Sequence, residues 1–528
     1  MEKIFREYDG GFKYLPIELY ATESGYHVFD AKKVVFLDVD EVVFGILKIL
    51  RKKDLGIQQL FSLLPQYAKE DVRDSFNEIK ALQAKGYLKP YQFRRRGKYS
   101  RAYFEDTLAH KVSGFTVYVT TRCNLACSYC IYGGEYDRYE KLSQTTMTWK
   151  TARNMVDFLM AHSAQSKNLR LDFFGGEPLL NFDLMRRIVK YARSRLGTSR
   201  LPIVVTIASN GTILTEEILQ FLLEHNVYLQ FSIDGDKEVH DRERRFRNGG
   251  NGSHDLILRN LERIYMRYPD YFREHIHVKS VMTMKTISSG DDAFFRHPLI
   301  QTVNRNGHLS TLIKEPHYDI SKDRDYFRQF HALGKKLLKA KGIKTLKELL
   351  EPFTLRERIF FQQTFNEFTE VQSVNNLYFG NATKIPFTKG CLMGYQEGAV
   401  QPNGDITVCH KATSFVIGNV NEGTWYGDRI WELNSKLHEA LPECTSCFAH
   451  RFCGLCYEKL DGRNGCWTKA RAKYCEFTRQ KYHLSFDYML RILDKNPELW
   501  DDLGKLVETK IADRLKEMDE ELQDERRQ

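Results

Sequence analysis

Long hydrophobic runs are missing from this chain of 528 residues. No stretch reaches the roughly 18 apolar residues that a membrane-spanning helix needs. The first residues, Met1 to Glu7, lack the apolar core of a signal peptide. These two absences predict a cytoplasmic protein that has no membrane segment.

Isolated cysteines are also missing. All 11 cysteines fall either in a triplet between Cys123 and Cys130 or between Cys391 and Cys475. In a reducing compartment, grouped thiols indicate metal binding or catalysis rather than disulfides. Long basic runs are absent as well, because the net charge of +10 includes only short runs, at 94–98 and 242–247. Such runs are typical of a solvated surface, so we predict no nucleic-acid partner.

The cysteine triplet has the sequence Cys123-Asn-Leu-Ala-Cys127-Ser-Tyr129-Cys130. The β-branched run 115–120 before it predicts a buried strand, so the cysteines lie on the loop at the C-terminal end of that strand. Three thiolates on one loop can hold three irons of a cubane iron–sulfur cluster and leave the fourth iron without a protein ligand. A zinc site and three buried thiols are the alternatives.

Strands and amphipathic helices alternate between about residues 109 and 315. The strand candidates after the first lie at 169–174, 202–208, 227–233, 276–283 and 308–313. Six strand–helix units of this kind predict an α/β fold with a parallel sheet, arranged as a partial (β/α)6 barrel. The candidate site residues follow these strands, at the edge where parallel barrels carry out chemistry.

The triplet, with an aromatic residue before its last cysteine, resembles the motif of the radical S-adenosylmethionine (SAM) superfamily. In that family the open iron binds the amino and carboxylate groups of SAM. After the next strand, Gly175-Gly176-Glu177 resembles the motif that holds the methionyl amine. The resemblance implies further SAM contacts from Tyr129, Ser209, Asn210, Ser232, Asp234 and Arg244. Asn-Gly and Asp-Gly are also good turn formers, and Arg244 could instead form a surface salt bridge.

The second cysteine block contains Cys391, Gly404 and Cys409, then Cys444-x2-Cys447-x5-Cys453-x2-Cys456, and finally Cys466 and Cys475. Two Cys-x2-Cys pairs alone are typical of a zinc ribbon. The full order resembles the SPASM domain, which houses two auxiliary 4Fe–4S clusters, although that family usually has three residues before the cysteine matched by Cys456. The resemblance implies a first auxiliary cluster on Cys391, Cys409 and Cys456, and a second on Cys444, Cys447, Cys453 and Cys475. Cys466 either completes the first cluster or acts as a free thiol or acid.

The first 108 residues predict three short strands followed by three helices. This order resembles the winged-helix-like recognition domain of enzymes that modify ribosomal peptides, in which a leader peptide adds a strand to the sheet edge. A generic winged-helix or dimerisation module is the alternative. We predict a helical bridging region at 316–380, a SPASM domain at 381–480 and a C-terminal helix at 481–528.

The whole pattern resembles a radical SAM/SPASM peptide maturase, an oxidoreductase that takes hydrogen from a ribosomally made precursor peptide and installs a thioether or carbon–carbon crosslink. The resemblance implies SAM, three 4Fe–4S clusters, a precursor peptide bound through its leader, and an external reductant such as flavodoxin or ferredoxin. Two alternatives remain: a sulfatase-type maturase that generates formylglycine, and a zinc-binding interaction module without enzymatic activity.

Overall fold

The protein is described by a computed structural model. It describes residues 15–89, 100–130, 132–133, 144–196, 202–287, 293–305, 309–313, 320–361, 393–394, 398–437, 444, 446–460, 467–505 and 508–509. A small antiparallel sheet comes first, followed by a large parallel sheet and then a cysteine-rich region. The predicted α/β class is confirmed.

The N-terminal part has the predicted order of three strands and three helices. The antiparallel strands are β1 (Ile17–Ala21), β2 (Tyr26–Asp30) and β3 (Val35–Val39), and the helices are α1 (Glu41–Leu50), α2 (Ile57–Leu63) and α3 (Lys69–Ala84). Asp40 caps α1, because its Oδ1 accepts a hydrogen bond of 2.7 Å from the Val43 amide. The buried side chains of α1 are Val43, Ile46, Leu47 and Leu50, which lie on one face of the helix.

The N-terminal sheet lies between two hydrophobic cores because its side chains alternate. Val28 belongs to the core beneath α1 and α3, whereas its neighbour Phe29 belongs to the main core of the molecule. The Phe29 ring lies 4.9 Å from that of Phe486 and 6.1 Å from that of Phe452, measured between centroids. The N-terminal sheet is therefore packed directly on the C-terminal region.

The central sheet consists of six parallel strands that pair in chain order, as predicted. They are β4 (Gly114–Thr120), β5 (Leu169–Gly175), β6 (Ile203–Ser209), β7 (Tyr228–Ser232), β8 (Ile276–Met282) and β9 (Leu309–Ile313). Helix α4 (Arg101–His110) precedes the first strand. The connecting helices are α5 (Trp149–Ala161), α6 (Phe182–Leu196), α7 (Glu216–Glu224), α8 (Lys237–Glu243), α9 (His254–Arg267), α10 (Pro269–His275), α11 (Met284–Ile287), α12 (Ala293–Arg296) and α13 (Pro298–Arg305), with a 3-10 turn at Pro178–Asn181.

The cysteine-rich region extends the central sheet. After α14 (Ile320–Leu337) and α15 (Leu346–Leu350), strand β10 (Ala399–Val400) pairs in parallel with β4. The antiparallel strands β11 (Asp405–Thr407), β12 (Val416–Asn419) and β13 (Thr424–Trp425) follow at the same edge. Our sequence reasoning did not predict this pairing, which places Cys409 close to the strand that leads into the first cysteine loop.

The C-terminal helices complete the fold. They are α16 (Gly427–Leu437), a 3-10 turn at Phe448–Phe452, α17 (Tyr457–Leu460) and α18 (Trp467–Lys495). The helix predicted from residue 481 therefore begins earlier, at Trp467, and carries Cys475. The part of that predicted segment beyond residue 509 lies outside the described residues. None of the described helices is long and apolar enough to cross a membrane.

Candidate functional site

The first cysteine loop leaves the C-terminal end of β4. Its second half forms a tight turn, in which the Cys130 amide donates to the Cys127 carbonyl at 3.1 Å. Cys123, Cys127 and Cys130 are all free and partly buried. Burial raises the pKa of Cys127 to about 12; the nearby Arg244 opposes this, and Cys130 and Cys123 add to it. The structure thus brings the three predicted thiols together at the carboxyl edge of the parallel sheet.

The two glycines after β5 allow a close backbone approach to this loop. Gly175 has φ +124°, and a Cβ atom there would lie 2.6 Å from the Thr120 carbonyl oxygen. A Cβ atom on Gly176 would overlap the Arg122 carbonyl. The Glu177 amide donates to that same Arg122 carbonyl at 2.8 Å. The Gly-Gly pair therefore fastens the end of β5 to the start of the cysteine loop.

Glu177 is completely buried beside the loop. Its Oε1 accepts hydrogen bonds from Ser209 Oγ at 2.9 Å and the Leu179 amide at 3.1 Å, and its Oε2 accepts one from the Asn210 amide at 2.7 Å. Burial raises the pKa of Glu177 to about 6, and these hydrogen bonds oppose that shift. Since a carboxylate accepts about four hydrogen bonds, Oε2 retains the capacity for one more donor, such as an ammonium group.

Ser209 and Asn210 connect Glu177 with the cysteine loop. Besides donating to Glu177, the Ser209 hydroxyl accepts a hydrogen bond from the Gly211 amide at 2.9 Å. Asn210 Nδ2 donates to Asn124 Oδ1 at 2.7 Å and lies 3.9 Å from the sulfur of Cys123. These two predicted SAM-contact residues therefore lie beside the triplet, whereas Ser232 lies at the end of β7, partly buried.

Tyr129, Asp234 and Arg244 form a second polar group, in which Asp234 and Arg244 are buried and Tyr129 is partly buried. Tyr129 Oη donates to Asp234 Oδ2 at 2.5 Å, and Arg244 Nη1 donates to Tyr129 Oη at 2.5 Å. Burial raises the pKa of Asp234, and Arg244 opposes this shift. Arg244 is buried rather than on the surface, so it ties the aromatic residue of the cysteine motif to the loop after β7.

Arg356 is a member of this group that sequence reasoning missed. It lies in the helical segment 355–361, is 1% exposed, and donates from Nη2 to the Asp234 carbonyl at 2.8 Å. Gly235, with φ +152°, makes room for it, since a Cβ atom there would overlap Arg356 Nη2. No motif or spacing links residues this far apart, and the one local sign is the glycine that follows Asp234.

The described thiols of the C-terminal region form two sets: Cys409 with Cys456, and Cys444 with Cys447, Cys453 and Cys475. Burial raises the pKa of Cys409 to about 12, and its neighbour Cys456 adds to the shift. Burial also raises the pKa of Cys447 to about 12, and among its neighbours Cys475 and Cys444 add to it. Cys453 lies with that second set, since Cys475, Cys447 and Cys444 all contribute to its raised pKa after burial. Cys391 and Cys466 lie outside the described residues.

Thiolates are ligands of both zinc ions and iron–sulfur clusters. Within the described ranges, no group of three or more Cys, His, Asp or Glu residues can hold a single metal ion. Zinc needs its ligands close together because each Zn–S bond is about 2.3 Å long. In an iron–sulfur cluster each thiolate binds its own iron. The described thiols supply the type of ligand that either kind of centre takes.

Comparison with known proteins agrees with the central fold. Residues 117–284 match the model of the Radical SAM superfamily, and this range contains most of β4, all of β5 to β8 and the loops of the site. The chain is 26% identical to the radical SAM cyclopropyl synthase TigE of Paramaledivibacter caminithermalis, over 46% of this chain and 51% of that protein. It is 31% identical to a cysteine-type anaerobic sulfatase-maturating enzyme of Clostridium novyi, over 28% of this chain and 39% of that protein.

The chain thus spans about half or less of the length of these curated relatives. Among solved structures, the native anSMEcpe with bound AdoMet covers 69% of this chain and 96% of its own, at 18% identity and a TM-score of 0.44. The family model thus matches the central part of the chain, and the activity of the whole chain is a matter for proposal.

Proposed function

We propose that this protein is a radical SAM peptide maturase of the SPASM type, which installs a thioether or carbon–carbon crosslink in a ribosomally made precursor peptide. The main support is the convergence of two buried polar groups on the cysteine loop at the carboxyl edge of the parallel sheet. One is the Glu177–Asn210 group, which touches Cys123, and the other is the Asp234–Arg244 group, which touches Tyr129. The similarity to a cyclopropyl synthase supports the choice of crosslink, because a cyclopropane ring is closed by a carbon–carbon bond.

The donor set fits the cofactors of the family. Cys123, Cys127 and Cys130 would hold one 4Fe–4S cluster, and the free capacity on Glu177 Oε2 suits the amino group of SAM. When bound, SAM and its cluster supply a carbon radical that removes hydrogen from an unactivated carbon, and the auxiliary clusters supply an electron acceptor. We assign the first auxiliary site to Cys391, Cys409 and Cys456, and the second to Cys444, Cys447, Cys453 and Cys475.

The chain's own contribution is to position these groups and to exclude water. Glu177 and Asp234 are both almost entirely buried, so the charged groups at the sheet edge are shielded from solvent. Arg244 and Arg356 lie next to Asp234 and oppose the rise of its pKa. The resulting polar site is rigid, because each side chain has several fixed partners. An external reductant such as flavodoxin or ferredoxin would deliver electrons to this site.

The N-terminal sheet would hold the leader of the precursor peptide. Within the described sheet, β3 is an edge strand with β2 as its strand neighbour. An edge strand presents unpaired backbone groups to which an extended peptide can add a further strand. The side chain of Asp38, next to the end of β3, is 89% exposed.

A formylglycine-generating maturase of the sulfatase type is the second candidate. The observation that favours it is the 31% identity to a cysteine-type anaerobic sulfatase-maturating enzyme. The observation that favours the crosslinking enzyme is the N-terminal sheet. Its resemblance to the recognition domain of enzymes that modify ribosomal peptides implies that it binds a leader, and a formylglycine-generating enzyme does not need a leader-binding domain.

The products of the reaction separate the two candidates. Anaerobically reconstituted protein would be incubated with SAM, dithionite and a short peptide encoded beside the gene, and the peptide analysed by mass spectrometry. We expect 5′-deoxyadenosine together with a peptide that has lost two hydrogens and does not react with a hydrazine probe for aldehydes, because oxidation of Ser to formylglycine removes two hydrogens as well. Conversion of one Cys or Ser to an aldehyde would support the second candidate. Colourless protein that forms no 5′-deoxyadenosine would contradict both.

A further inference from the structure

A buried hydrogen-bond cluster joins the first cysteine loop to the C-terminal cysteine region. Tyr118, on β4, has its hydroxyl 2.8 Å from that of Tyr132 and donates to the His410 carbonyl at 2.8 Å. The Tyr132 hydroxyl also donates to the His410 carbonyl, over a short hydrogen bond. Two phenolic hydroxyls and one carbonyl oxygen therefore meet at a single point.

The positions of these residues in the chain give the cluster its significance. Tyr132 follows Cys130 by two residues, and His410 directly follows Cys409. These two cysteines come from the two separate cysteine blocks, and both add to the raised pKa of Tyr118, which is caused first by burial. The hydrogen-bond group of Tyr118, Tyr132 and His410 thus connects the two cysteine-bearing loops directly.

Packing alone does not require the hydroxyl groups. The rings of Tyr118 and Tyr132 both lie against Phe174, with centroids 5.7 Å and 6.5 Å from it, and Phe174 also contacts the His410 ring at 5.1 Å. Phenylalanine would make the same ring contacts. A buried hydroxyl costs free energy unless it is hydrogen-bonded, so two hydroxyls aimed at one carbonyl indicate a specific link.

We propose that Tyr118 and Tyr132 are positioning residues that lock the Cys130 loop to the Cys409 loop and thereby fix the separation of the first cluster site from the first auxiliary site. The functional consequence rests on the proposed function, because a peptide held between these two sites must reach both. The link itself depends only on the two hydroxyls and the His410 carbonyl.

Tyr118→Phe and Tyr132→Phe test this proposal in the cluster-loaded, full-length protein. Each variant removes a hydroxyl and keeps the ring. Tyr271→Phe is the matched control, because Tyr271 is also buried and donates to a backbone carbonyl, that of Val227, at 2.5 Å. Val227 precedes β7, so that hydrogen bond lies at the opposite edge of the sheet from the cysteines.

The primary measurement is the rate at which iron is lost to a ferrous chelator. We call Tyr118→Phe and Tyr132→Phe the bridge variants. Loss of one or two buried hydrogen bonds should make the two cysteine loops open more often, and should therefore raise the rate of iron release about three- to tenfold in both bridge variants. The control variant, Tyr271→Phe, should release iron at the wild-type rate. Its melting temperature should nevertheless fall by about as much as that of the Tyr118→Phe and Tyr132→Phe variants. The electron paramagnetic resonance spectrum of the reduced bridge variants should also change, a signature that general destabilisation would not produce.

Iron release and spectra equal to those of Tyr271→Phe would overturn the proposal. With a peptide substrate, the bridge variants should form more 5′-deoxyadenosine per modified peptide than the wild type. If the wild type modifies no peptide but the iron-release difference is present, the proposed function fails and the tyrosine link stands. If the wild type modifies a peptide but the bridge variants release iron no faster than the control, the tyrosine link fails and the proposed function stands.

Discussion

The two cysteine regions are held in place by different kinds of interaction. The first loop is fastened mainly by hydrogen bonds: the Ala126 amide donates to the Arg245 carbonyl and the Ser128 amide to the Glu243 carbonyl, both at 2.9 Å. The second region lies among aromatic rings instead. Phe452, next to Cys453, has its ring 4.6 Å from Tyr482 and 5.2 Å from Phe486.

This difference shows how far each region depends on the rest of the chain. The partners of the first loop come from the parallel sheet and its own connections. The loop between Cys447 and Cys453 also contacts the N-terminal part, since Arg451 Nη2 donates to the Lys32 carbonyl at 3.0 Å. The first loop thus depends mainly on the central sheet and its connections, with Arg356 and the His410 carbonyl added from later in the chain. The second region contacts surfaces from both ends of the molecule.

Replacing one cysteine in each region should give the largest contrast. Cys127→Ala should abolish formation of 5′-deoxyadenosine while the C-terminal thiols keep their iron, so that about one third of the total is lost. Cys447→Ala should lose a similar amount of iron and still cleave SAM. Chromatography of 5′-deoxyadenosine and colorimetric assays of iron and sulfide measure both effects. SAM cleavage retained by Cys127→Ala would contradict the assignment of the first site.

Adding a methyl group at Gly235 should disturb the first site strongly. Gly235→Ala combines a positive φ with an overlap onto Arg356, so we expect a loss of about 3 kcal/mol in the free energy of unfolding. Gly249→Ala is the matched control, because Gly249 has φ +84° but no neighbouring atom within 4 Å, and it should lose about 1 kcal/mol. Urea unfolding compares the two variants. Equal losses would show that Arg356 does not occupy this position.

The affinity for SAM should depend on pH through Glu177. With a pKa of about 6, this carboxyl is neutral below that pH and is then a weaker acceptor for the N–H groups of the SAM amino group. Affinity should therefore rise as the pH increases through 6, by about tenfold, the difference that a hydrogen bond to a charged group makes. Equilibrium dialysis with oxidised protein measures SAM binding without cleavage.

Glu177→Gln provides the control for the pH profile. The amide cannot titrate, so this variant should bind SAM weakly with no step near pH 6. A step of unchanged size in the variant would mean that a different group titrates.

Much of the first region could be predicted from sequence because its determinants are local. The strands β4 to β8 begin and end within one or two residues of the predicted ranges, since hydrophobic runs and turn residues act over short distances. The cysteine spacing and the Gly175-Gly176 pair are likewise short patterns whose geometry follows from the backbone.

The sequence by itself therefore determined the order of strands in the central sheet, the order of strands and helices in the N-terminal part and the loop that carries the first three thiols. Only the tertiary structure decided that β10 lies beside β4, that Arg356 reaches Asp234, and that Tyr118 meets the His410 carbonyl. Each of these contacts joins residues more than a hundred positions apart. Hydrophobic burial is non-directional, so the pattern of a segment shows that it is buried but does not specify the distant surface against which it packs.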